Sequence, residues 1–397
     1  MDRIRNPYAP GAGSPPPELA GREALIEEAH VILGRTRIGR PAQGMILVGL
    51  RGVGKTVLLS EVRKIAERED FAVIFVEAHE GKKLAELIVP PLRELLYAIS
   101  SLESAKNLAA RGLRVLKSFV SSLTVTIEGV TFGLGVEQEA GVADSGDIEA
   151  DLPRLFEVVG EAAAAAGKPV LLLIDEIQYL ESGEFSALIM AMHRINQRQM
   201  PMAMIAAGLP QTLALAGNSK SYAERLFRYP EVGALNDADA RRALEEPARS
   251  EGVAFEEGAI RRILDVTKRY PYFLQQWGYD AWNSAEESPI SAHDIDMATG
   301  RAIGELDQSF FKVRFDRCTP AEKRYMQALA SLGPGKQRSG DVAEKLGVKV
   351  TSLGPVRNSL IRKGMIYSPA HGDTAFTVPL FDEFMKRAMP DKAVRAE

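Results

Sequence analysis

Cysteine, histidine and long apolar runs are scarce in this sequence of 397 residues, and each scarcity excludes a class of protein. The single cysteine, Cys318, excludes a disulfide framework and a zinc site built from cysteines alone. The five histidines show no metal-ligand spacing. No uncharged apolar run reaches the ~18 residues that a membrane span needs, and the N-terminus lacks the apolar segment of a secretory signal. These absences predict a soluble, cytoplasmic protein with no membrane partner.

A strong net charge is also absent, but the charges are unevenly distributed. The sequence contains 49 Lys and Arg residues and 53 Asp and Glu residues, a net charge of −4, which excludes a uniformly basic surface. Residues 317–390 hold 12 Lys and Arg against 6 Asp and Glu, whereas the rest of the chain holds 37 against 47. The sequence therefore predicts a basic C-terminal module on an acidic remainder, and a local nucleic-acid contact stays open.

Five short β-rich stretches alternate with long helical patterns, at residues 44–50, 71–77, 170–174, 202–207 and, weakly, 231–235. Fully apolar strands separated by helices are typical of a parallel, doubly wound α/β domain. The nearly one hundred residues between the second and third strands exceed one crossover and predict an insertion at about 101–148 that decorates the surface of the core. We expect it to contain an amphipathic helix at 109–121 and a hairpin formed by 123–127 and 131–136.

Changes in composition and in helix and strand pattern along the chain predict further domain boundaries. The first 17 residues are rich in Pro and Gly and predict an extended arm, which by composition alone would be disordered. Three helices from Thr319 onward, followed by two strands around a turn at 371–373, are the layout of a winged helix. Gly354-Pro355 allows the third of these helices to start at Pro355. The predicted units are the arm (1–17), an α/β core (18–235), a helical lid (236–315) and a winged-helix module (316–397).

One motif carries clear chemistry. Gly49-Leu50-Arg51-Gly52-Val53-Gly54-Lys55-Thr56 fits G-x-x-x-x-G-K-[ST], after a strand and before a helix. Such a loop wraps phosphates with the backbone N–H groups of residues such as Gly49, Gly52, Val53 and Gly54. Lys55 is expected to reach the β- and γ-phosphates of ATP, and the Thr56 hydroxyl to bind Mg²⁺. We call residues 49–56 the phosphate loop.

Two carboxylates complete the predicted site. The apolar strand at 170–174 delivers Asp175 and Glu176 to its C-terminal end, where ligands bind in open α/β sheets. Asp175 is expected to hold Mg²⁺ opposite Thr56, and Glu176 to polarise the water that attacks the γ-phosphate. The pair favours hydrolysis over nucleotide binding alone.

With these motifs the chain resembles the AAA+ and STAND branches of the P-loop ATPases, and more narrowly the origin-recognition or initiator-like AAA ATPases, over about residues 5–390. Leu19-Ala20-Gly21-Arg22-Glu23 resembles the box that precedes the core in that family. The resemblance implies an AAA+-type P-loop fold with ATP and Mg²⁺ bound between core and lid. It also implies that Gly21, Arg22 and the arm lie against the adenine.

The family pattern transfers less directly at three places. The fourth strand runs into Gly208-Leu209-Pro210 and has no polar residue before Gln211, which resembles the STAND-like branch and predicts slow hydrolysis. An arginine finger is expected at Arg225 or Arg228, with position favouring Arg225; the alternative is a surface ion pair of Arg225 with Glu224 or Asp239. Pro271 is expected to touch the nucleotide at the start of a lid helix. Arg269 beside it is either a phosphate sensor or a solvated residue.

The third helix of the C-terminal module carries candidate DNA contacts. Its polar positions are Arg357, Asn358, Arg362 and Lys363, and Arg and Asn read guanine and adenine edges in the major groove. Lys336, Arg338, Lys349 and His371 are expected near phosphates or the minor groove. The alternative is that the module docks a protein or dimerises.

Two hypotheses follow. In the first, an ATP-hydrolysing switch couples nucleotide state to double-stranded DNA binding or assembly, as a homo-oligomer with Arg225 acting on a neighbour. In the second, a STAND-like regulatory ATPase uses its winged helix to bind a protein partner.

Overall fold

The computed structural model describes residues 1–11, 13–123, 131–132, 136–219 and 223–390. The core contains one parallel sheet, as the sequence predicts. Its strands are β1 (Gly44–Val48), β2 (Ala72–Glu77), β3 (Val170–Asp175), β4 (Met202–Gly208) and β5 (Phe227–Arg228). They lie in the order β2-β3-β4-β1-β5. Because all strands point the same way, the residues that follow β1, β3 and β4 meet at one edge of the sheet.

The sheet is buried on both faces, which explains its apolar strands. Met45 and Leu47 of β1 pack into one hydrophobic cluster, whereas Ile46 and Val48 pack into the other. Helices cover both faces. The helices of the core are α1 (Glu23–Arg37), α2 (Lys55–Arg68), α3 (Leu84–Ser100), α4 (Lys106–Ser122), α5 (Ile148–Ala165), α6 (Ser182–Gln197), α7 (Thr212–Ser219) and α8 (Ala223–Leu226). The doubly wound α/β fold is thereby confirmed.

The fifth strand lies earlier than the sequence predicted. It pairs with β1 at Gly44 and Met45, whereas the predicted stretch 231–235 contributes one isolated bridge, between Glu231 and Val48. Pro230 has no N–H to donate to a ladder. Further along, the N–H of Leu235 donates to the carbonyl of Arg269 in the lid, so the chain has already left the sheet.

The predicted insertion is not a surface decoration where the structure describes it. α4 packs against α3 and α5, and its residues Ala109, Leu113, Leu116 and Phe119 are buried in the cluster that includes the sheet. The helix therefore contributes to the core. Most of the hairpin predicted at 123–127 and 131–136 lies outside the described residues.

The lid follows the core as four helices and a connecting segment. Asn236 caps the first of them by accepting a hydrogen bond from the N–H of Asp239, as expected. The helices are α9 (Asp237–Ser250), α10 (Glu257–Thr267), α11 (Pro271–Ser284) and α12 (Ala292–Glu305). A π-helical turn, Leu306–Phe311, then leads into the short α13 (Lys312–Asp316).

The C-terminal module contains three helices, a small antiparallel sheet and a last helix. Thr319 and Glu322 form the predicted capping box. The elements are α14 (Pro320–Ser331), β6 (Gln337–Arg338), α15 (Ser339–Leu346), α16 (Gly354–Arg362), β7 (Ile366–Tyr367), β8 (Asp373–Phe376) and α17 (Phe381–Ala388), with the sheet in the order β6-β8-β7. A 3₁₀ turn, Val350–Leu353, precedes α16, so the third helix starts at Gly354, one residue before the Pro355 that the sequence allowed.

The last helix, α17, has no counterpart among the elements predicted from the sequence. Its signal was present, because Asp382 and Glu383 stand in the first turn and Lys386 and Arg387 in the last, in the order the helix dipole favours. No helix in the described ranges is both long and apolar enough to cross a bilayer.

Candidate nucleotide-binding site

The phosphate loop connects β1 to α2 at the edge where the strands end. Gly52 and Gly54 have φ values of +82° and +92°, a backbone region that residues with a Cβ rarely adopt. Gly54 is also the residue that precedes the first turn of α2. The loop therefore turns so that the free N–H groups at the start of α2 face the same space, which favours an anion there.

Lys55 is buried within this loop. Its Nζ donates to the carbonyl oxygens of Gly49 and Leu50, both at 2.8 Å, and the residue is 6% exposed. Burial lowers the pKa of Lys55 to about 8, although Glu176 and Asp175 oppose the shift. A buried ammonium whose partners are only neutral carbonyls suits an anionic ligand in the loop.

Thr56 and Asp175 are in direct contact. The Thr56 hydroxyl donates to Oδ2 of Asp175 at 2.6 Å, and the other carboxylate oxygen accepts the N–H of Glu176 at 2.8 Å. Burial raises the pKa of Asp175. A hydroxyl beside a carboxylate is the oxygen donor set that Mg²⁺ takes next to a nucleotide. Residues far apart in sequence are thus brought together as expected, and they fit the metal.

Glu176 directly follows the C-terminal end of β3 and has a left-handed backbone conformation, φ +51°. Its Oε1 lies 3.6 Å from the guanidinium of Arg51, and its Oε2 accepts a hydrogen bond from Nε2 of Gln178. The Oε1 of Gln178 in turn accepts the N–H of Leu209, just after β4, at 2.9 Å. Gln178 therefore connects the Glu176 carboxylate to the end of β4, where the sequence has no polar residue.

The missing polar residue at the end of β4 has a steric reason. A Cβ at Gly208 would lie 2.3 Å from the Thr212 hydroxyl and 3.0 Å from Oε1 of Gln178. The space that a sensor side chain would occupy is therefore filled from another element. Sequence reasoning missed Gln178 because its role depends on β3 and β4 being neighbours, and a polar residue two positions after Glu176 was the one available signal.

A cleft of 390 Å³ opens beside the phosphate loop, and the N-terminal arm forms part of its wall. Pro10 and Ser14 line it, and Tyr8, 3% exposed, packs against Gly278 of α11. The carbonyl of Asp2 accepts the indole N–H of Trp282 at 2.8 Å. The described part of the arm is therefore held against the lid and the cleft, and the alternative of a free arm does not apply to it.

Arg22 lies at the same wall, and Gly21 beside it packs against Asp239 of α9. Arg22 lines the cleft, and its guanidinium donates to the carbonyl oxygens of Gly233 at 2.6 Å and Val53 at 3.3 Å. A Cβ at Gly21 would lie 2.6 Å from the carboxylate of Asp239, so the residue allows the close approach of α9. The box thus joins the phosphate loop to the lid.

The start of α11 also closes on the phosphate loop. Pro271 lines the cleft, the N–H of Tyr272 donates to the carbonyl of Gly52 at 3.1 Å, and the Tyr270 hydroxyl donates to the carbonyl of Arg51. Arg269 points elsewhere: it is exposed and pairs with Asp237. Of its two predicted interpretations, the solvated one describes its position.

Comparison with known proteins agrees with this geometry. Residues 18–205 match the sequence model of the AAA ATPase domain. This part of the chain is an AAA ATPase domain. The family implies nucleotide binding with Mg²⁺. Residues 308–385 match a domain family of unknown function, and no curated protein matches the chain.

Two solved structures share the fold. The Walker-type ATPase PABY2304 of Pyrococcus abyssi is 14% identical, with 93% of this chain and 96% of that chain covered and a TM-score of 0.57. The ORC2 protein of Aeropyrum pernix in its ADP form is 13% identical, with 98% and 99% covered and a TM-score of 0.52. At such identities the likeness shows that the chain has the AAA+ fold.

The two arginine-finger candidates, Arg225 and Arg228, follow the matched residues 18–205 and differ in their surroundings. Arg228 pairs with Glu28 at 2.6 Å. The side chain of Arg225 is exposed and has no ion pair within the described residues, while Asp239, one of its expected surface partners, pairs with Arg242. Arg225 is thus the candidate that is free to meet a neighbouring molecule.

The C-terminal module separates the four residues predicted to read DNA. Arg357 is half-buried and donates to the Thr374 hydroxyl at 3.0 Å and the Asp373 carbonyl at 2.9 Å. Lys363 pairs with the buried Glu322 at 2.8 Å. These two hold the module together, which corrects their assignment as free DNA-reading side chains. Asn358 and Arg362 are exposed.

The module also contacts the phosphate loop, which no sequence motif indicated. The N–H of Arg51 donates to the carbonyl of Thr377 at 3.2 Å. The Arg51 guanidinium donates to the Tyr179 hydroxyl at 2.8 Å and pairs with Glu176. Arg314 of α13 lines the cleft as well. Both arginines were missed because one stands at a variable position of the loop pattern and the other in no motif.

Proposed function

We propose that this protein is an ATP-binding, ATP-hydrolysing switch whose nucleotide state controls what the C-terminal module binds. The observation that carries the proposal is the 2.6 Å hydrogen bond between Thr56 and Asp175 beside the buried Lys55. A hydroxyl, a carboxylate and an ammonium at the N-terminus of α2 are the groups that a magnesium nucleotide requires.

Each residue has a chemical task in the hydrolysis of the terminal phosphoanhydride bond. Lys55 binds the phosphates, and Thr56 and Asp175 hold Mg²⁺, which supplies neutralisation of phosphate charge when bound. Glu176 orients the attacking water and accepts its proton. Gln178 and Arg51 set the position of the Glu176 carboxylate.

The C-terminal module is proposed to act as a winged helix that binds double-stranded DNA. Its three helices precede a β-hairpin, and exposed cationic or amide side chains surround α16. They are Lys345, Lys349, Asn358 and Arg362. Such a surface suits phosphates and base edges. The contact between Arg51 and Thr377 supplies a route by which nucleotide state can alter this surface.

A protein partner is the second candidate, and a specific observation favours it. Val348 and Val350, just before α16, are 45% and 50% exposed. Apolar side chains beside the helix suit a protein surface better than a phosphate backbone. Since Arg357 and Lys363 are bound within the module, fewer cations remain for DNA than the sequence suggested.

The ATPase part is tested with purified protein, binding of a fluorescent ATP analogue and release of inorganic phosphate. We expect Lys55→Ala to lose nucleotide binding, and Glu176→Gln to keep binding while losing turnover. Magnesium removal by EDTA should weaken ATP binding in the wild type by about tenfold or more, and much less in Asp175→Asn, because the metal bridges carboxylate and phosphates. Nucleotide binding that survives in Lys55→Ala contradicts the proposed site.

The DNA part is tested by fluorescence anisotropy with a labelled duplex, with ATP analogue, with ADP and without nucleotide. We expect binding that weakens as salt rises and is lost in Lys349→Ala/Arg362→Ala. The matched control, Arg63→Ala/Arg68→Ala, removes two exposed charges from α2. No binding at low salt in any nucleotide state overturns the DNA assignment and leaves the protein partner.

A further inference from the structure

The arginines that line the cleft differ in their partners. Three arginines line it: Arg22, Arg51 and Arg314. Arg22 donates to carbonyls of the cleft wall, and Arg51 pairs with Glu176. Arg314 is half-buried and, within the described residues, has no carboxylate partner. A partly desolvated guanidinium without a counter-ion is costly to keep, so its presence in a cleft suggests an anion that comes from outside.

Aromatic rings pack against the Arg314 guanidinium. Its guanidinium lies 4.0 Å from the centre of the Phe310 ring and donates to the Phe310 carbonyl. The Phe310 ring stacks on Tyr272, with centroids 4.6 Å apart. Tyr272 itself is hydrogen-bonded to the phosphate loop through Gly52. These contacts fix the position of Arg314 relative to the phosphate loop. The guanidinium N–H groups that do not donate to Phe310 remain available to a ligand in the cleft.

The charges around Arg314 place it at the phosphate end of the cleft. Burial, and then the nearby charge of Arg51, lowers its pKa to about 10, and the carboxylate of Glu176 acts in the opposite direction. Arg51 and Glu176 stand where the terminal phosphate of ATP is expected. A guanidinium forms paired hydrogen bonds with phosphate oxygens.

A second cavity links this position to the C-terminal module. It has a volume of 180 Å³ and is lined by Arg51, Arg314, Arg317 and Lys363, among others. Arg51 and Arg314 thus stand between the cleft and the module. On the other side, Phe311 stacks on Phe384 of α17 with centroids 5.3 Å apart. A movement of the segment 306–316 would therefore change how the C-terminal module packs against it.

We propose that Arg314 is a phosphate-binding residue of the nucleotide site, which contacts the terminal phosphate of ATP and transmits its presence to the C-terminal module. It takes the place of the lid arginine that points away, Arg269. The proposal rests on the proposed nucleotide function and deepens it, because it names the residue that distinguishes ATP from ADP. No bond is made or broken by Arg314, which binds and positions.

Binding measurements with magnesium complexes of ADP and of the non-hydrolysable analogue AMP-PNP test the proposal. We expect Arg314→Ala to weaken AMP-PNP binding about tenfold or more, the loss of a charge-assisted hydrogen bond, with ADP affinity changed less than about threefold. Arg314→Lys should restore part of the difference. Arg317→Ala, an exposed neighbour that lines only the second cavity, is the matched control and should bind both like the wild type.

Unchanged AMP-PNP affinity in folded Arg314→Ala, or an equal loss for both nucleotides, overturns the proposal. If the wild type itself binds no nucleotide, the proposed function fails instead, so the two failures are distinct. A measurement on the wild type needs no variant: hydrogen exchange of 306–318 and of the backbone near Thr377 should slow more with AMP-PNP than with ADP. Equal exchange with both nucleotides contradicts the inference.

Discussion

The backbone N–H of Arg51 donates to the carbonyl oxygen of Thr377 at 3.2 Å, so the phosphate loop and the C-terminal module share a hydrogen bond. The Arg51 side chain reaches Glu176 on the opposite side. One residue therefore contacts both the carboxylate that is expected to activate water and the module that is expected to respond to nucleotide.

Gly364 tests the contact between Arg51 and the module. It has φ +63°, and a Cβ there would lie 2.7 Å from the Arg51 guanidinium. Gly347 has a similar φ, +66°, with nothing within 4 Å of its Cβ, so it is a matched control. Both Gly→Ala variants should lose about 1 kcal/mol of unfolding free energy to backbone strain. In Gly364→Ala alone, ATP turnover should fall, because Arg51 is displaced and no longer holds the Glu176 carboxylate in position. Calorimetry and phosphate-release assays measure the two effects, and equal turnover in both variants contradicts the prediction.

Gln178 is predicted to position Glu176. Because its amide joins the Glu176 carboxylate to the N–H of Leu209, Gln178→Ala should lower kcat about tenfold while the Kd for ATP stays the same. Gln197→Ala, which changes an exposed glutamine at the end of α6, should leave both values unchanged. A loss of ATP affinity equal to the loss of kcat would show that Gln178 supports the fold of the site and does not orient the carboxylate.

The pH dependence of nucleotide affinity should report Lys55. With its pKa lowered to about 8 in the free protein, Lys55 loses its proton above pH 8, whereas bound phosphate favours the protonated form. Affinity for ADP should therefore fall between pH 8 and 9, with proton uptake on binding in calorimetry. Affinity that stays constant to pH 9 contradicts this.

The lowered pKa of Lys55 should affect stability in the opposite direction from nucleotide affinity. Between pH 8 and 10.5 the unfolded chain holds the Lys55 proton and the folded chain does not. The free energy of unfolding without nucleotide should therefore rise with pH across this window relative to Lys55→Met, which lacks the group. Denaturant unfolding of both proteins at several pH values measures the difference, and parallel curves exclude the effect.

Arg225 should act on a neighbouring subunit. Arg225→Ala is expected to lower turnover about a hundredfold or more with ATP affinity unchanged, whereas Arg228→Ala, which removes a side chain already paired with Glu28, should leave turnover near the wild-type value. Specific activity of the wild type should rise with protein concentration as the oligomer forms. Turnover that is independent of concentration and insensitive to Arg225→Ala would assign Arg225 to the surface.

Local patterns predicted the parts of the site that are built from consecutive residues. The phosphate loop and the Asp175-Glu176 pair each follow a strand, so their chemistry could be inferred without knowledge of packing. The sheet followed from the same alternation. The fifth strand was misplaced because a two-residue strand at a sheet edge has almost no sequence signal, and α17 was overlooked although its charge order was visible.

The roles of individual side chains were harder to predict. Arg357 and Lys363 looked like free cations on a helix face. Arg357 instead donates to the Asp373 carbonyl and the Thr374 hydroxyl, and Lys363 pairs with Glu322. Helical spacing indicates which residues share a face, and it contains no information on what packs against that face. Asn358 and Arg362 on the same helix are exposed, and their spacing along the chain did not distinguish them from Arg357 and Lys363.

Residue order alone was enough for the ATPase core, because a phosphate loop, a terminal acidic pair and buried strands are properties of short segments. The connection between the nucleotide site and the C-terminal module required the folded chain. Arg314 contacts Phe310, four residues earlier on the chain, and packing decides that this segment reaches the cleft. Gln178 and Arg51 acquire their roles from contacts with Leu209 and Thr377, which lie on segments that only packing brings together. Such contacts depend on how helices and strands pack around a common edge, which spacing along the chain does not encode.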